Sequence, residues 1–390
     1  MLVSTPVFSR RSVAGGEPNA LSRAIGAARA QGTPLVDLTT GNPTTAGIAY
    51  DDERVRRALS PHGPVRYEPE PFGLASARRA VAMLWAERGV TVPPENVVVT
   101  ASTSEAYAFA FKLFCDPGDE VLVPAPSYPL IEHLAALDSV SLVSYPLVYE
   151  SGFAIDLASL RRAVTPRTRA IVLVSPNNPT GSYVKRAELA ALAELDLPLI
   201  SDEVFGEYPL TNDATRARSV LDETRVLACA LDGLSKCAAL PHVKLAWMTL
   251  GGPEAAVREA RARLELVADT FLSPSTLAQL ALPELIASRR VAGDAIRARL
   301  SENYAKLVAS CAGTTVSALR VEGGWYAVLR LPDVASDEEW ALAFLEAGVC
   351  VHPGYFYDFV GPPRAVLSLL TPEADFATGI ERLLACVAAR

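Results

Sequence analysis

The stretch AIVLVSPNNPTG, residues 170–181, holds the pattern that decides the fold. Its first five residues are all apolar, and a run without polar alternation predicts a strand that is buried on both faces. The run then changes into Ser, Pro, Asn and Gly, which are turn formers. The stretch therefore predicts a buried strand whose carboxyl end carries Asn178 in a tight turn.

Six further β-rich apolar runs lie on either side of this one, with helical patterns such as Glu105–Phe114 and Lys185–Ala193 between several of them. Strands that are buried on both faces and separated by helices predict an α/β fold. We expect a large domain with a mainly parallel seven-stranded sheet. The six runs are Asn96–Thr100, Glu120–Val123, Ser139–Tyr145, Pro198–Ile200, Arg225–Cys229 and Ala246–Leu250.

The last third of the chain has a different pattern, which predicts a second domain. A long helical pattern from about Pro253 to Arg290 is interrupted at Ser273-Pro274, so we expect two helices with a break. A separate helix over Ala292–Ala312 and an α+β pattern follow. We therefore expect a segment 1–45 that packs with the small domain, a large domain over 46–275 and a smaller α+β domain over 276–390.

Composition excludes several classes of protein. The net charge is −8 over 390 residues, and no run of Lys and Arg is present, which argues against a nucleic-acid partner. No stretch approaches about 18 consecutive apolar residues, so no membrane span is expected. The N-terminus lacks a signal-peptide core, which predicts a cytoplasmic location. The six cysteines are scattered and the four histidines lack metal-ligand spacing, so free thiols and no metal are expected.

Four predicted strands end in polar or aromatic residues, and the carboxyl ends of strands in an open α/β sheet are where ligands bind. Ser102, with Glu105 three residues later, fits a capping box at a helix N-terminus that could hold a phosphate; an ordinary well-capped helix is the alternative. Tyr128 follows a strand and could stack on a flat ring, or simply pack. Asn178 could donate its amide to a ligand, or only form the turn.

Two charged residues complete this set. Asp202 follows an apolar strand and is either a helix cap or the partner of a buried cation such as a protonated pyridine nitrogen. Lys236 lies between Leu234 and Cys237, which is unusually apolar company for a lysine. Burial lowers the pKa of an ammonium group and frees the amine to form a Schiff base, although an isolated lysine more often reaches solvent.

The ordered combination of motifs resembles the class I/II aminotransferases, which are fold-type I enzymes that use pyridoxal 5′-phosphate (PLP). Any one of these motifs alone is weak, and the specificity lies in their order. The matching runs are LTTGNPT at 38–44, Tyr67 with Gly73, Leu74 and Arg78, DPGDEVLVPAPSYP at 116–129, SPNNPTG at 175–181, SDEVF at 201–205 and the pair Ser235-Lys236.

The resemblance implies a role for each matching residue and a ping-pong transfer of an amino group between an amino acid or amine and a 2-oxo acid or aldehyde. Lys236 would form the Schiff base with PLP and move the proton, Asp202 would pair with the ring nitrogen, and Asn178 would bond the phenolic oxygen. Tyr128 would stack on the ring, and Gly41 would line the substrate side. The phosphate would be held by Ser102, Thr103, Ser104, Ser235 and, from the neighbouring subunit of a homodimer, Tyr67.

Four positions depart from the family pattern. Phe205 replaces a tyrosine, which removes a donor to the phenolic oxygen and is expected to raise the pKa of the Schiff base. Lys244 replaces an arginine that contacts the phosphate, and Gly233 replaces a serine. Val366 stands where an arginine normally binds the substrate carboxylate. Arg364, or Arg330 on another strand, could supply that charge, although strand alternation makes neither an automatic substitute. The alternative is a substrate that presents its carboxylate differently or lacks one.

Two other functions share these motifs. A PLP-dependent lyase, decarboxylase or racemase uses the same cofactor chemistry, so the motifs do not separate it from an aminotransferase. A non-catalytic PLP-binding regulator would need a DNA-binding module, and we expect no room for one because the family motifs begin near residue 39.

Overall fold

The structure is a computed structural model that describes residues 8–9, 11–12, 17–60 and 66–390. The described helices are α1 Ala20–Ala30, α2 Asp52–Ala58, α3 Ala75–Glu87, α4 Thr103–Phe114, α5 Leu130–Leu137, α6 Leu157–Ala163, α7 Arg186–Ala193, α8 Leu234–Cys237, α9 Glu254–Phe271, α10 Thr276–Cys311, α11 Asp337–Glu346 and α12 Glu373–Ala388. The strands are β1 Val36–Asp37, β2 Val97–Thr100, β3 Glu120–Ala125, β4 Ser141–Tyr149, β5 Phe153–Ile155, β6 Thr168–Val174, β7 Leu199–Asp202, β8 Ala228–Gly233, β9 Ala246–Gly251, β10 Ser317–Ala318, β11 Tyr326–Arg330, β12 Val349–Cys350, β13 His352–Pro353 and β14 Arg364–Ser368.

The large sheet has the strand order β2-β9-β8-β7-β6-β3-β4-β5. The central strands β8, β7, β6, β3 and β4 run parallel, so their carboxyl ends share one edge. The α/β fold with a mainly parallel sheet is confirmed, but the prediction of seven strands is wrong by one. The eighth strand is β5, which folds back on β4 as an antiparallel hairpin strand and is too short to stand out in the sequence.

Both faces of this sheet are covered, as the apolar run at 170–174 predicts. Ile171 and Leu173 pack in a core with side chains of α3 and α7. Ala170 and Val172 point to the opposite face and pack with side chains of α4 and α9. Successive residues of a strand point to opposite faces, so an unbroken apolar run serves both cores.

The prediction of a separate helix over Ala292–Ala312 is wrong. The break at Ser273-Pro274 does divide α9 from α10, but α10 then continues without interruption to Cys311. Its first half packs Leu282 and Leu285 into the core of the large sheet, whereas its second half packs Ile296 and Leu300 into a different core. The buried residues of both halves lie on one face of the helix, from Leu282 through Ile296 to Leu307, so one continuous helix packs against two cores. Gly293, a weak helix former near the junction of the halves, makes this stretch read in sequence as a boundary between two helices.

The second core lies between α10 and a four-stranded antiparallel sheet of order β10-β11-β14-β13. The first strand, β1, pairs in parallel with β12, with Val36 opposite Val349, so the segment at β1 packs on this smaller unit. Within the described ranges, no helix is long and apolar enough to cross a membrane.

Candidate active site

The carboxyl ends of β6, β7, β8 and β2 lie along one edge of the large sheet, with the start of the antiparallel strand β9 between β8 and β2. Asp202, the last residue of β7, is opposite Val174 of β6 and Leu231 of β8. Gly233 ends β8 opposite Ala246, and Ala246 is also opposite Thr100 of β2. The loops that carry the asparagine turn, the lysine and the first turn of α4 therefore leave the sheet at one edge.

Lys236 projects its amine into an aromatic pocket. The Nζ atom lies 4.7 Å from the centroid of the Trp325 ring and 5.6 Å from that of Phe205. Burial lowers the pKa of this amine to about 8, against the opposing attraction of Asp202. The backbone is held as well, because the Tyr208 hydroxyl donates to the Lys236 carbonyl at 2.6 Å.

Asp202 is a carboxylate with few donors around it. Its Oδ1 accepts the Val204 N–H at 3.3 Å and its Oδ2 accepts the Tyr107 hydroxyl at 3.4 Å. Burial raises the pKa of this acid to about 6, although the two donors and Lys236 act in the opposite direction. A cationic partner at the carboxylate would therefore stabilise its ionised form.

The N-terminus of α4 is capped by Ser102 as predicted, but the capping box is only half formed, because Glu105 bonds the residue before the cap. Ser102 Oγ accepts the Glu105 N–H at 3.1 Å, and Glu105 Oε2 accepts the Ala101 N–H at 2.7 Å. Thr103 and Ser104 are half-buried in the first turn of the helix. The free N–H groups and the partial positive charge of such a turn suit a phosphate.

The two asparagines after β6 do different things. Asn177 is buried and builds the turn, since its Oδ1 accepts the Thr180 hydroxyl at 2.9 Å. Asn178 is half-buried, and its Oδ1 is shielded from solvent without a hydrogen-bond partner in the part of the chain that the structure describes. Asn177 Nδ2 is likewise buried without a partner among the described residues. Buried polar groups are normally paired, so these two atoms mark the turn as a place where a polar ligand can bind.

Aromatic side chains form the side of the site that faces the four-stranded sheet. The Tyr326 ring meets the Phe205 ring edge-on at 6.3 Å, and its hydroxyl lies 2.5 Å from where a side chain at Gly41 would begin. Tyr128, with 47% of its surface exposed, is close enough to Tyr326 to affect its ionisation. Gly41, Tyr128 and Phe205 are thus brought together around Tyr326.

Val366 is buried and packs in an apolar cluster with Tyr357. The residue opposite it on β13 is His352, whose Nδ1 lies 2.8 Å from the Tyr357 hydroxyl. Arg364 lies on the same face of β14, two residues earlier. Its Nη1 donates to the Pro362 carbonyl at 2.7 Å, and its Nε is buried without a partner among the described residues.

Three other predicted residues lie at the periphery or on the surface. Ser235 is half-buried in the first turn of α8, whereas Lys244 is exposed and has a left-handed backbone with φ of 57°. Tyr67 is 72% exposed. Arg330, the alternative to Arg364, is exposed and directly opposite it across the sheet, with its guanidinium 5.8 Å from the Tyr149 ring.

The sequence did not single out Tyr107, Trp325 or Tyr326. Tyr107 occupies a helix position that reads as core packing, and its only signal is a hydroxyl four residues after Thr103 on the same helix face. Trp325 and Tyr326 are about 90 residues from Lys236 in sequence, so no local pattern connects them.

Together these groups fit the cofactor that the sequence resemblance predicts. A buried amine of lowered pKa can condense with an aldehyde, an acid can pair with a pyridine nitrogen, and a helix N-terminus can take a phosphate. The unpartnered oxygen of Asn178 is the independent sign that a polar ligand belongs between them.

Comparison with known proteins identifies the family of this chain. The family model for aminotransferase class I and II matches residues 33–383. An aspartate/prephenate aminotransferase of Thermus thermophilus is 32% identical over 91% of this chain and 91% of its own. An alanine aminotransferase structure from Pyrococcus furiosus superposes with a TM-score of 0.85 at 25% identity over 98% and 100% of the two chains. The structure of the Thermus thermophilus aspartate aminotransferase with maleate superposes with a TM-score of 0.82 at 30% identity, over 98% of this chain and 100% of that chain.

Proposed function

Because this chain belongs to the aminotransferase class I and II family and is a PLP-dependent aminotransferase, we propose that Lys236 carries the cofactor and moves the proton of the reaction. The observation that supports this assignment is the pocket around its Nζ, formed by Phe205 and Trp325. With a pKa of about 8, a useful fraction of the amine is neutral near pH 7 and able to attack a carbonyl carbon.

Bound PLP supplies an electron sink for the carbon that loses its proton. The neutral amine of Lys236 would take that proton and deliver it to the cofactor. The rings of Phe205 and Trp325 would keep water away from the amine. Asp202 carries the negative charge that stabilises a protonated ring nitrogen. Asn178 would donate its amide N–H to the phenolic oxygen, and Tyr128 would stack on the ring.

The phosphate is held, in this proposal, mainly by the first turn of α4 at Ser102, Thr103 and Ser104. Ser235 adds a hydroxyl, and Lys244 adds a point charge from the rim of the site rather than a bidentate fork. Because Lys244 is exposed, its contribution is screened by solvent and salt.

We propose that the substrate is an amino acid with a 2-oxo acid as acceptor, in line with the aspartate, prephenate and alanine in the names of the relatives. Val366 offers no charge for the substrate carboxylate, so Arg364 is the residue proposed to supply it. The Nε of Arg364 has no hydrogen-bond partner among the described residues, and burial lowers the pKa of the guanidinium. A bound carboxylate would therefore stabilise its charged form.

Arg364→Ala and Arg330→Ala form a matched pair for testing this contact. We expect Arg364→Ala to raise the KM for a 2-oxo acid about ten-fold or more, as for a lost charge-assisted hydrogen bond. Arg330→Ala should leave the KM within about two-fold, because this arginine is exposed. The reverse order would move the carboxylate site to Arg330.

The central assignment is tested by visible absorbance. PLP added to the protein should produce a visible absorption band that a Lys236→Ala variant does not form, and amino donors should bleach it as the amino group moves to the cofactor. Release of ammonia or carbon dioxide without an oxo-acid acceptor would point to a lyase or decarboxylase instead. The comparisons give that alternative no support.

We further propose a cytoplasmic homodimer engaged in amino acid biosynthesis, with domains at 1–45, 46–275 and 276–390 and with Tyr67 reaching the phosphate of the neighbouring subunit. The exposure of Tyr67 agrees with such a role. Mixing Tyr67→Ala with Lys236→Ala subunits tests it: a hybrid dimer contains one site with both side chains intact, so activity should return. No recovery, in mixtures proven to exchange subunits, would contradict a shared site.

A further inference from the structure

Tyr107 connects the helix that begins at the proposed phosphate site with the acid at the far side of the ring. It lies on α4, four residues after Thr103, and residues at this spacing share one face of a helix about 6 Å apart along its axis. The side chain is buried, with 3% of its surface exposed. Its hydroxyl must therefore find its hydrogen-bond partner inside the protein.

That partner is Asp202. The Tyr107 hydroxyl donates to Asp202 Oδ2 at 3.4 Å and makes no other hydrogen bond within the described ranges. The other donor to the carboxylate is the backbone N–H of Val204, at 3.3 Å to Oδ1. Tyr107 is thus the one side chain in the described structure that hydrogen-bonds this acid.

The charges around Asp202 do not replace this donor. Asp232 of β8 repels it, although Arg88 bonds Asp232 at 2.8 Å and compensates part of that charge. Lys236 of α8 attracts it, but its amine is itself partly neutral near pH 7. Burial and the negative neighbour raise the pKa of Tyr107 well above its usual value, so its O–H stays a donor at every working pH.

We propose that Tyr107 is a positioning residue, which orients the Asp202 carboxylate and favours its charged form for the pyridine nitrogen of the cofactor. One helix would then serve both ends of PLP, with its N-terminus at the phosphate and Tyr107 behind the acid. The inference rests on the proposed role of Asp202.

A double-mutant cycle tests it, with PLP affinity of the apoprotein measured by absorbance titration between pH 5.5 and 8.5. Tyr107→Phe keeps the ring and removes the hydroxyl. We expect it to weaken PLP binding about three- to ten-fold, the range for a long hydrogen bond to a charged acceptor, and more strongly at the acid end. Added to Asp202→Asn, the same change should cost less than about two-fold, because its target charge is gone.

Tyr145→Phe is the matched control. Tyr145 is an equally buried tyrosine nearby, but its hydroxyl donates to the Val172 carbonyl at 2.8 Å and not to Asp202. This variant should bind PLP as the wild type does across the pH range. Thermal unfolding of each apoprotein identifies any loss that comes from misfolding.

Two outcomes would overturn the inference about Tyr107 while leaving the proposed function intact. In the first, Tyr107→Phe binds PLP as tightly as Tyr145→Phe. In the second, Tyr107→Phe weakens PLP binding equally with and without Asp202→Asn, as expected if Tyr107 only packs. A different outcome refutes the proposed function of the acid itself. If Asp202→Asn alone leaves PLP affinity and its pH dependence unchanged, then Asp202 does not pair with the cofactor.

Discussion

Replacing Lys236 by methionine should make the apoprotein more stable. The folded protein lowers the pKa of this amine from 10.5 to about 8, which means that it holds the charged form at a cost. Each tenfold loss in proton affinity corresponds to about 1.4 kcal/mol, so the charged amine costs about 3 kcal/mol below pH 8. Methionine has a similar length and no charge, and its thioether packs well against aromatic rings such as Phe205 and Trp325.

The sign of the pH dependence follows from the same values. Because the folded pKa lies below the unfolded one, the unfolded chain binds more protons between about pH 8 and 10.5, and wild-type stability rises with pH across that window. The methionine variant lacks this term. Its advantage is therefore greatest below pH 8 and disappears above about pH 10.5.

Urea unfolding of PLP-free protein at pH 7 and at pH 10.5, at one protein concentration, measures both values. Lys306→Met is the control, since Lys306 is exposed on α10 and its removal should change the unfolding free energy by less than about 0.5 kcal/mol. The reasoning fails if Lys236→Met is no more stable than the wild type at pH 7, or if its gain is the same at both pH values.

Three further changes test other parts of the site. In Phe205→Tyr, the midpoint at which the visible band of bound cofactor titrates should fall by about one pH unit, because the added hydroxyl can donate to the deprotonated form. An unchanged midpoint would mean that position 205 does not face the phenolic oxygen of the cofactor. Gly41→Ala should raise the KM several-fold, since the new methyl meets the Tyr326 hydroxyl at 2.5 Å, and a second change, Tyr326→Phe, should restore most of the loss. Glu203→Gln should stabilise the protein at pH 8 by up to about 3 kcal/mol and should not stabilise it below pH 4.5. Burial raises the pKa of Glu203 to about 7, so the folded protein disfavours the charged form, which is present only at higher pH. An equal gain at both pH values in urea unfolding would contradict this.

The fold was predictable where an element has the same surroundings along its whole length, because its apolar pattern is then regular. The run at 170–174 is apolar throughout because Ile171 and Ala170 face different cores, and that demand is visible in any window. Helix α10 was not predictable as one helix, because its two halves pack into different cores and the weak helix former Gly293 lies between them. The hairpin strand β5 was missed since three residues at a sheet edge carry too little pattern.

The candidate site shows a similar division. Asp202, Asn178 and Lys236 follow strands, so their place at the sheet edge could be expected from sequence position alone. Trp325 and Tyr107 approach from the small domain and from a helix face, where an aromatic residue is ordinarily part of the core. A contact that depends on how two distant elements pack leaves no local pattern in the sequence.

These contacts explain why the site is costly to fold and suited to its chemistry at once. Burial lowers the pKa of Lys236 to about 8 and raises that of Asp202 to about 6. In both cases burial favours the neutral form of the group over its charged form. A cofactor that condenses with the amine and brings a cation to the acid gives both groups a partner that the protein alone does not supply. Binding of PLP should therefore stabilise the fold by more than its contact area suggests, and most of that gain should be lost when Asp202 is asparagine.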